Sequence, residues 1–73
     1  MFIPNHPQIR VLNLLVKGTS NKQMAATLSV SVPTIEYHLH RLFTATDATN
    51  RVELAMWWRE FLETPFHRHA RAS

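Results

Sequence analysis

The stretch Ser31-Val-Pro-Thr-Ile-Glu-Tyr-His-Leu-His-Arg-Leu-Phe43 decides the fold. Its apolar residues Val32, Ile35, Leu39, Leu42 and Phe43 recur at three- and four-residue steps, which gathers them on one stripe of a helix. The opposite side carries Pro33, Glu36, Tyr37, His40, Arg41 and Thr44. That face mixes donors, acceptors, a base and an acid, unlike the plain Lys/Glu pattern of a merely solvated surface. Ser31 is a good N-cap, because its hydroxyl accepts from a free amide of the first turn. A short capped helix, apolar behind and chemically varied in front, suits the major groove of DNA. The same pattern also fits a helix that only packs against its neighbours.

The residues upstream form a second helix close by. Ser20-Asn-Lys-Gln23 has the spacing of a capping box and opens a helix over 21–28, with Met24, Ala25 and Leu28 inward. Only Ser29 and Val30 separate it from the Ser31 cap. Helices joined so tightly cross rather than run antiparallel, as in a helix-turn-helix, and the small pair Ala25-Ala26 permits the close approach. Gly18, the only glycine, stands where a preceding helix needs a residue that tolerates positive φ. Asn5 and Gln8 repeat the capping-box spacing, and Pro7 suits a first turn, so a helix is expected over about 6–17. Ile9, Leu12, Leu15 and Val16 form its apolar stripe, widened by Val11 and Leu14. Phe2 and Ile3 of the lead-in are expected to pack over this helix.

Downstream, the helix begun at Val32 is expected to run to about residue 45. Thr44 to Asn50 is a polar run that makes the turn, with Asp47 or Asn50 taking the awkward backbone angles. A fourth helix follows over 51–63, ended by Thr64-Pro65. Its inner stripe is Leu54, Ala55, Trp58, Phe61 and Leu62, with Val52, Met56 and Trp57 largely off it. Two adjacent tryptophans cannot both face one core, so one is expected at the surface or in a second interface. The expected organisation is one all-α, four-helix domain over 1–66 and a basic, flexible tail over 67–73.

Composition narrows the function classes. Seventy-three residues make one domain with a marginal core. Hydrophobic content of 45% argues against disorder, and the absence of Cys removes disulfides and thiolate metal sites. No apolar run approaches the roughly 20 residues of a membrane span, and no basic-then-apolar leader is present, so the cytoplasm is the expected compartment. The net charge of +3 favours a polyanionic partner.

Four blocks carry a family resemblance: Gly18-Thr-Ser-Asn-Lys-Gln-Met-Ala25, Leu28-Ser-Val-Ser-Val-Pro-Thr-Ile35, His38-Leu-His-Arg-Leu-Phe43 and Asn50-Arg-Val-Glu-Leu54. Together they resemble the LuxR-type (GerE-like) DNA-binding domain, over about Ile3 to Leu62 and with no gap. The resemblance implies four helices, the third in the major groove and the fourth pairing two copies on a two-fold-related site. In that family the domain usually follows a receiver or ligand-sensing domain. This chain resembles the stand-alone, spore-coat-regulator type of member, without a sensory domain.

Carried over by position, Thr19, Ser20 and Lys22 are expected near the DNA backbone at the start of the second helix. Ser31 and Thr34 are expected to hold phosphate. Glu36, Tyr37, His40 and Arg41 occupy base-facing and adjacent backbone positions, with Thr44 farther along the same face. Val52, Met56 and Trp57 fall on the outer side of the dimerising helix. Some positions depart from the family pattern. Residues 33 and 36 are commonly Lys there, whereas here they are Pro33 and Glu36. Pro33 removes a cation and a helix-terminal amide that meets phosphate. Glu36 is useful in the groove only as an acceptor from a cytosine amino group. Losing two Lys flattens the expected salt dependence, since each phosphate contact contributes roughly 0.9 to its log–log slope. Asp47 stands where the family usually has Gly, and Thr46 and Ala48 replace apolar neighbours, so a less well packed turn is expected. Arg10 stands where Glu is favoured.

Plainer readings compete at several positions. Tyr37 either covers the helix surface or touches a thymine methyl or sugar, and the resemblance favours contact with DNA. His38, at the edge of the apolar stripe, reads as a half-buried structural histidine. His38-x-His40 and His67-x-His69 do not make a metal site, because helical residues two apart point in different directions and no further ligands complete a set. No Ser–His–Asp arrangement, Gly-rich phosphate loop or paired carboxylates can be placed on a cleft, so neither an enzyme nor a cofactor is expected. The leading expectation is a transcriptional regulator that binds double-stranded DNA as a homodimer, with RNA polymerase or a larger LuxR-type regulator as further partners. The alternative is an interaction protein, an anti-activator that pairs with such a regulator through the fourth helix and blocks it.

Overall fold

The computed structural model describes residues 1–63; the expected stop at Thr64-Pro65, the domain boundary at residue 66 and the basic tail lie outside them. Among the described residues the fold is four helices and no strand: α1 (His6–Leu15), α2 (Asn21–Leu28), α3 (Val32–Thr46) and α4 (Arg51–Glu63).

Both expected capping boxes form. Asn5 Oδ1 accepts from the Gln8 amide at 3.0 Å while Gln8 Oε1 accepts from the Asn5 amide at 2.9 Å. Ser20 and Gln23 do the same for α2 at 3.2 and 3.0 Å. Each box satisfies two backbone donors that a helix start would otherwise leave to water. The expected end of α1 at Lys17 overshoots by two residues. Gly18 donates to the Leu15 carbonyl and Thr19 to the Leu14 carbonyl, so the last turn tightens around Gly18 at φ +78°.

Two further helix ends use left-handed residues that are not glycine. Ser29 (φ 58°) ends α2, with the Val30 amide reaching back to the Ala25 carbonyl at 3.0 Å. Asp47 (φ 60°) ends α3, with its amide on the Phe43 carbonyl at 3.0 Å. The third helix extends one residue beyond the expected 45. There the Thr46 hydroxyl donates to the Leu42 carbonyl at 2.8 Å and accepts from the Ala48 amide at 3.3 Å. The Thr46 hydroxyl thus bonds back onto the last turn of the helix and satisfies one amide beyond its end.

The four helices enclose one core: Val11, Leu12 and Leu15 from α1, Met24 and Ala25 from α2, Ile35, Leu39 and Leu42 from α3, and Leu54, Trp58 and Phe61 from α4. Val11, expected only to widen the α1 stripe, is at its fully buried centre. Leu62 is a correction: expected inside, it is 52% exposed, because one helical step past buried Phe61 turns it outward. Ala48 packs against the core despite its small size.

The two tryptophans divide the work, though not as a core residue and a surface residue. Trp58 is buried, and its indole N–H donates to Asn13 Oδ1 at 3.0 Å. Trp57 is half-buried rather than outward, with ring centroids 5.8 Å from Phe2 and 5.2 Å from Phe61. Phe2 therefore packs on α4, while Ile3, expected to cover α1, stays exposed.

Candidate nucleic-acid interface

The capped heads of α2 and α3 and the outer face of α3 hold the polar residues that the sequence singles out. α2 meets α3 through a link of three residues, Ser29 to Ser31, and the left-handed Ser29 turns the chain between the two axes. Burying Ile35, Leu39 and Leu42 fixes the rotation of α3, so Glu36, Tyr37, His40, Arg41 and Thr44 are all exposed on the side away from the core. Tyr37 is 57% exposed, and the Arg41 guanidinium carbon lies 5.9 Å from its ring centroid. This cation–π contact across one helical turn orders two long side chains on the open face.

At the head of α3, Ser31 Oγ accepts from the Thr34 amide at 3.3 Å and lies 2.9 Å from Thr34 Oγ1. One hydroxyl donates to the other, which leaves one O–H of the pair free to donate outward. Pro33 has no amide, so the first turn of α3 retains only the Val32 N–H outside the cap. The anion-attracting end of this helix is weakened accordingly.

At the head of α2, Ser20 and Lys22 are exposed and Thr19 is half-buried. The N–H groups of Asn21 and Lys22 lie outside the capping box. Arg51, the first residue of α4, reaches this point from across the fold. Its Nη1 donates to Asn21 Oδ1 at 2.6 Å and its Nη2 to the Thr19 carbonyl at 3.0 Å. The sequence reading passed over both Arg51 and Asn21 as site residues. A signal was present: Arg51 is three residues before Leu54 and seven before Trp58, so a charged side chain lies in line with the buried stripe of α4.

At the start of α4, Asn50 Oδ1 accepts from the Glu53 amide at 2.9 Å. Glu53 Oε1 accepts from the Thr49 hydroxyl at 2.7 Å and the Thr49 amide at 2.8 Å. These bonds, the hydroxyl foremost, hold the Glu53 carboxyl below the usual carboxylate range. Farther along, Val52 (69%) and Met56 (54%) are exposed one turn apart, and Trp57 flanks them half-buried. His38 is half-buried and opens onto a cleft with His6 and Arg10, whereas His40 shares the outer face with Tyr37. The two imidazoles thus face different sides of α3.

The sequence that builds these elements is matched by a family model over most of its length. The model for bacterial regulatory proteins of the luxR family covers residues 7–58. The chain belongs to that LuxR family. The match takes in a LuxR-type helix-turn-helix DNA-binding domain and runs from the first turn of α1 to the buried Trp58 of α4. A probable transcriptional regulator, ycf29, from Cyanophora paradoxa is 47% identical over 47 residues, covering 64% of this chain and 22% of that protein. The response regulator Rre1 of Synechocystis is 46% identical over 44 residues, 60% of this chain and 19% of that protein. The CsgBAC operon transcriptional regulatory protein of Escherichia coli is 35% identical over 52 residues, 71% of this chain and 24% of that protein. This LuxR-type chain spans about a quarter or less of the length of these relatives. No solved structure gives a significant match. Among the described residues, no helix is long and apolar enough to cross a membrane.

Proposed function

We propose that the chain regulates transcription by binding a two-fold-symmetric DNA site as a homodimer, with α3 in the major groove. The observation that carries this reading is the outward face of α3. Glu36, Tyr37, His40, Arg41 and Thr44 are all exposed there, while the opposite side of the same helix is locked into the core. A reading helix needs both, a rigid back and a front rich in donors and acceptors. Tyr37 and His40 read base edges, Arg41 reads a base or phosphate, and Thr44 meets the backbone. Glu36 accepts from a cytosine amino group, the one base-edge donor that suits a carboxylate best. Ser31 and Thr34 supply a hydroxyl donor to one phosphate, and Thr19, Ser20 and Lys22 engage another at the head of α2.

Val52 and Met56 form the centre of the contact between two copies, with the edge of Trp57 beside them. The names of two of these relatives, the Cyanophora and Escherichia coli proteins, are those of transcriptional regulators and support the regulatory role. The test is selection from random double-stranded DNA with purified protein at two salt concentrations. Enrichment of a symmetric site that survives the higher salt is the expected result. Enrichment of no site by folded, helical protein sinks the reading and favours an antagonist that works by pairing with a larger regulator.

A further inference from the structure

We infer that Arg51 is a positioning residue for DNA: anchored on α4, its guanidinium holds the first turn of α2 in the orientation a backbone phosphate requires. The inference rests on the DNA reading above and names a residue that reading does not use.

The first turn of α2 has little else to hold it. Asn21 is half-buried, Lys22 and Gln23 are exposed, and the first buried side chain of the helix is Met24. The Ser20–Gln23 capping box is local and exposed, so it stabilises the helix end without fixing it to the rest of the domain. The Thr19 amide reaches α1 only through a 3.3 Å bond to the Leu14 carbonyl. The Arg51 fork adds two bonds that span 30 and 32 residues of sequence. A planar guanidinium that donates to two acceptors fixes both the position and the tilt of the turn, which a single point contact does not.

Charge supports a role beyond folding. A cation beside a helix N-terminus opposes the helix dipole, so Arg51 is poorly placed to stabilise α2 by charge. An anion at the same end reverses that sign. The adjoining groove has Thr19, Ser20 and Asn21 on one side with Arg51, Met56 and Arg59 on the other, and no acidic residue lines it. A phosphate at the head of α2 thus meets two free amides, Lys22 and the Arg51 charge, in a frame set by the Arg51 bonds.

The test uses the full chain and the DNA site selected as above, with affinity followed by fluorescence anisotropy over a series of salt concentrations. The variants are Arg51→Ala, Arg51→Lys, Lys22→Ala and the double variant Arg51→Ala/Lys22→Ala. Circular dichroism and sedimentation confirm unchanged helix content and unchanged mass. Both Arg51 variants are expected to bind more weakly, and Arg51→Ala, which also loses the charge, to show a log–log salt slope shallower by about 0.9 or more. Lys22→Ala is expected to weaken binding in the parent protein and to cost at least about twofold less in the Arg51→Ala background, the mark of coupled residues. Arg51→Lys binding like the parent overturns the inference, because charge alone then suffices. So does a full Lys22→Ala loss in the Arg51→Ala background. If Arg51→Ala does not fold, Arg51→Lys alone decides. Failure of the parent protein to select any site overturns the DNA reading itself, and the inference with it.

Discussion

The indole nitrogen of Trp58 donates to the side-chain oxygen of Asn13 at 3.0 Å, tying α4 to α1 across 45 residues of sequence. The ring is buried while Asn13 is exposed, so the bond closes over the edge of the core. Trp58→Phe keeps most of the packing and leaves Asn13 to water, and is expected to cost about 1 kcal/mol. Trp58→Ala empties the site and is expected to cost about 3–5 kcal/mol, enough to unfold a domain of this size. Urea unfolding of the two variants checks the difference.

Asp47 holds a left-handed backbone (φ 60°) that costs an L-residue about 1–2 kcal/mol. Glycine avoids that cost but loses about 0.5–1 kcal/mol in chain entropy. Asp47→Gly is therefore expected to stabilise by up to about 1 kcal/mol. Gly18→Ala is expected to act in reverse. The space around Gly18 is open, so its φ of +78° alone sets the cost. Thermal melts of the pair should shift in opposite directions.

Glu53 brings a pH dependence. Thr49 holds its carboxyl below the ordinary value of 4.5 in the folded state. A depressed carboxyl contributes stability that is present above its unfolded value and lost as pH falls through the folded one. Glu53→Gln is expected to be less stable than the parent near neutrality, with the gap closing as the pH drops below 4.5. A gap independent of pH in urea midpoints would show that the carboxylate charge is irrelevant to the cap.

Tyr37→Ala and His40→Ala are expected to weaken binding to the selected DNA site while leaving non-specific binding nearly unchanged. Each lost base contact is worth about 1–3 kcal/mol. Equal losses on both kinds of DNA would reassign these residues to the backbone.

Met56→Glu places a charge on the exposed side of α4 and is expected to lower the apparent mass in solution or on DNA. Because Met56 is 54% exposed, the fold should tolerate the change. A mass that stays dimeric removes Val52 and Met56 from the contact.

Much of this domain is written in local chemistry, which is why it can be read. The capping boxes at Asn5 and Ser20, the cap at Ser31, Gly18 at its turn and the Ile35–Leu39–Leu42 stripe are all patterns within four residues of themselves. The same stripe set the outward residues of α3. What escaped depends on distant parts of the chain. Nothing near Trp57 announces that Phe2 will cover it, and nothing near Arg51 announces the Thr19 carbonyl. Leu62 misled because an apolar residue next to a buried one looks like part of the same stripe. Ser29 in a left-handed conformation was missed because serine carries no steric signature for that backbone.

The two tryptophans stand side by side on α4, one sealed by Asn13 and the core, the other by Phe2 and Phe61. Intrinsic fluorescence in this protein therefore reports the docking of one helix, whereas far-ultraviolet dichroism reports all four. Denaturation followed by both signals turns the packing of α4 into a test of cooperativity. Coincident curves mean that α1, α2 and α3 cannot stand without their lid. A fluorescence change at lower denaturant means that the reading unit persists after α4 has let go.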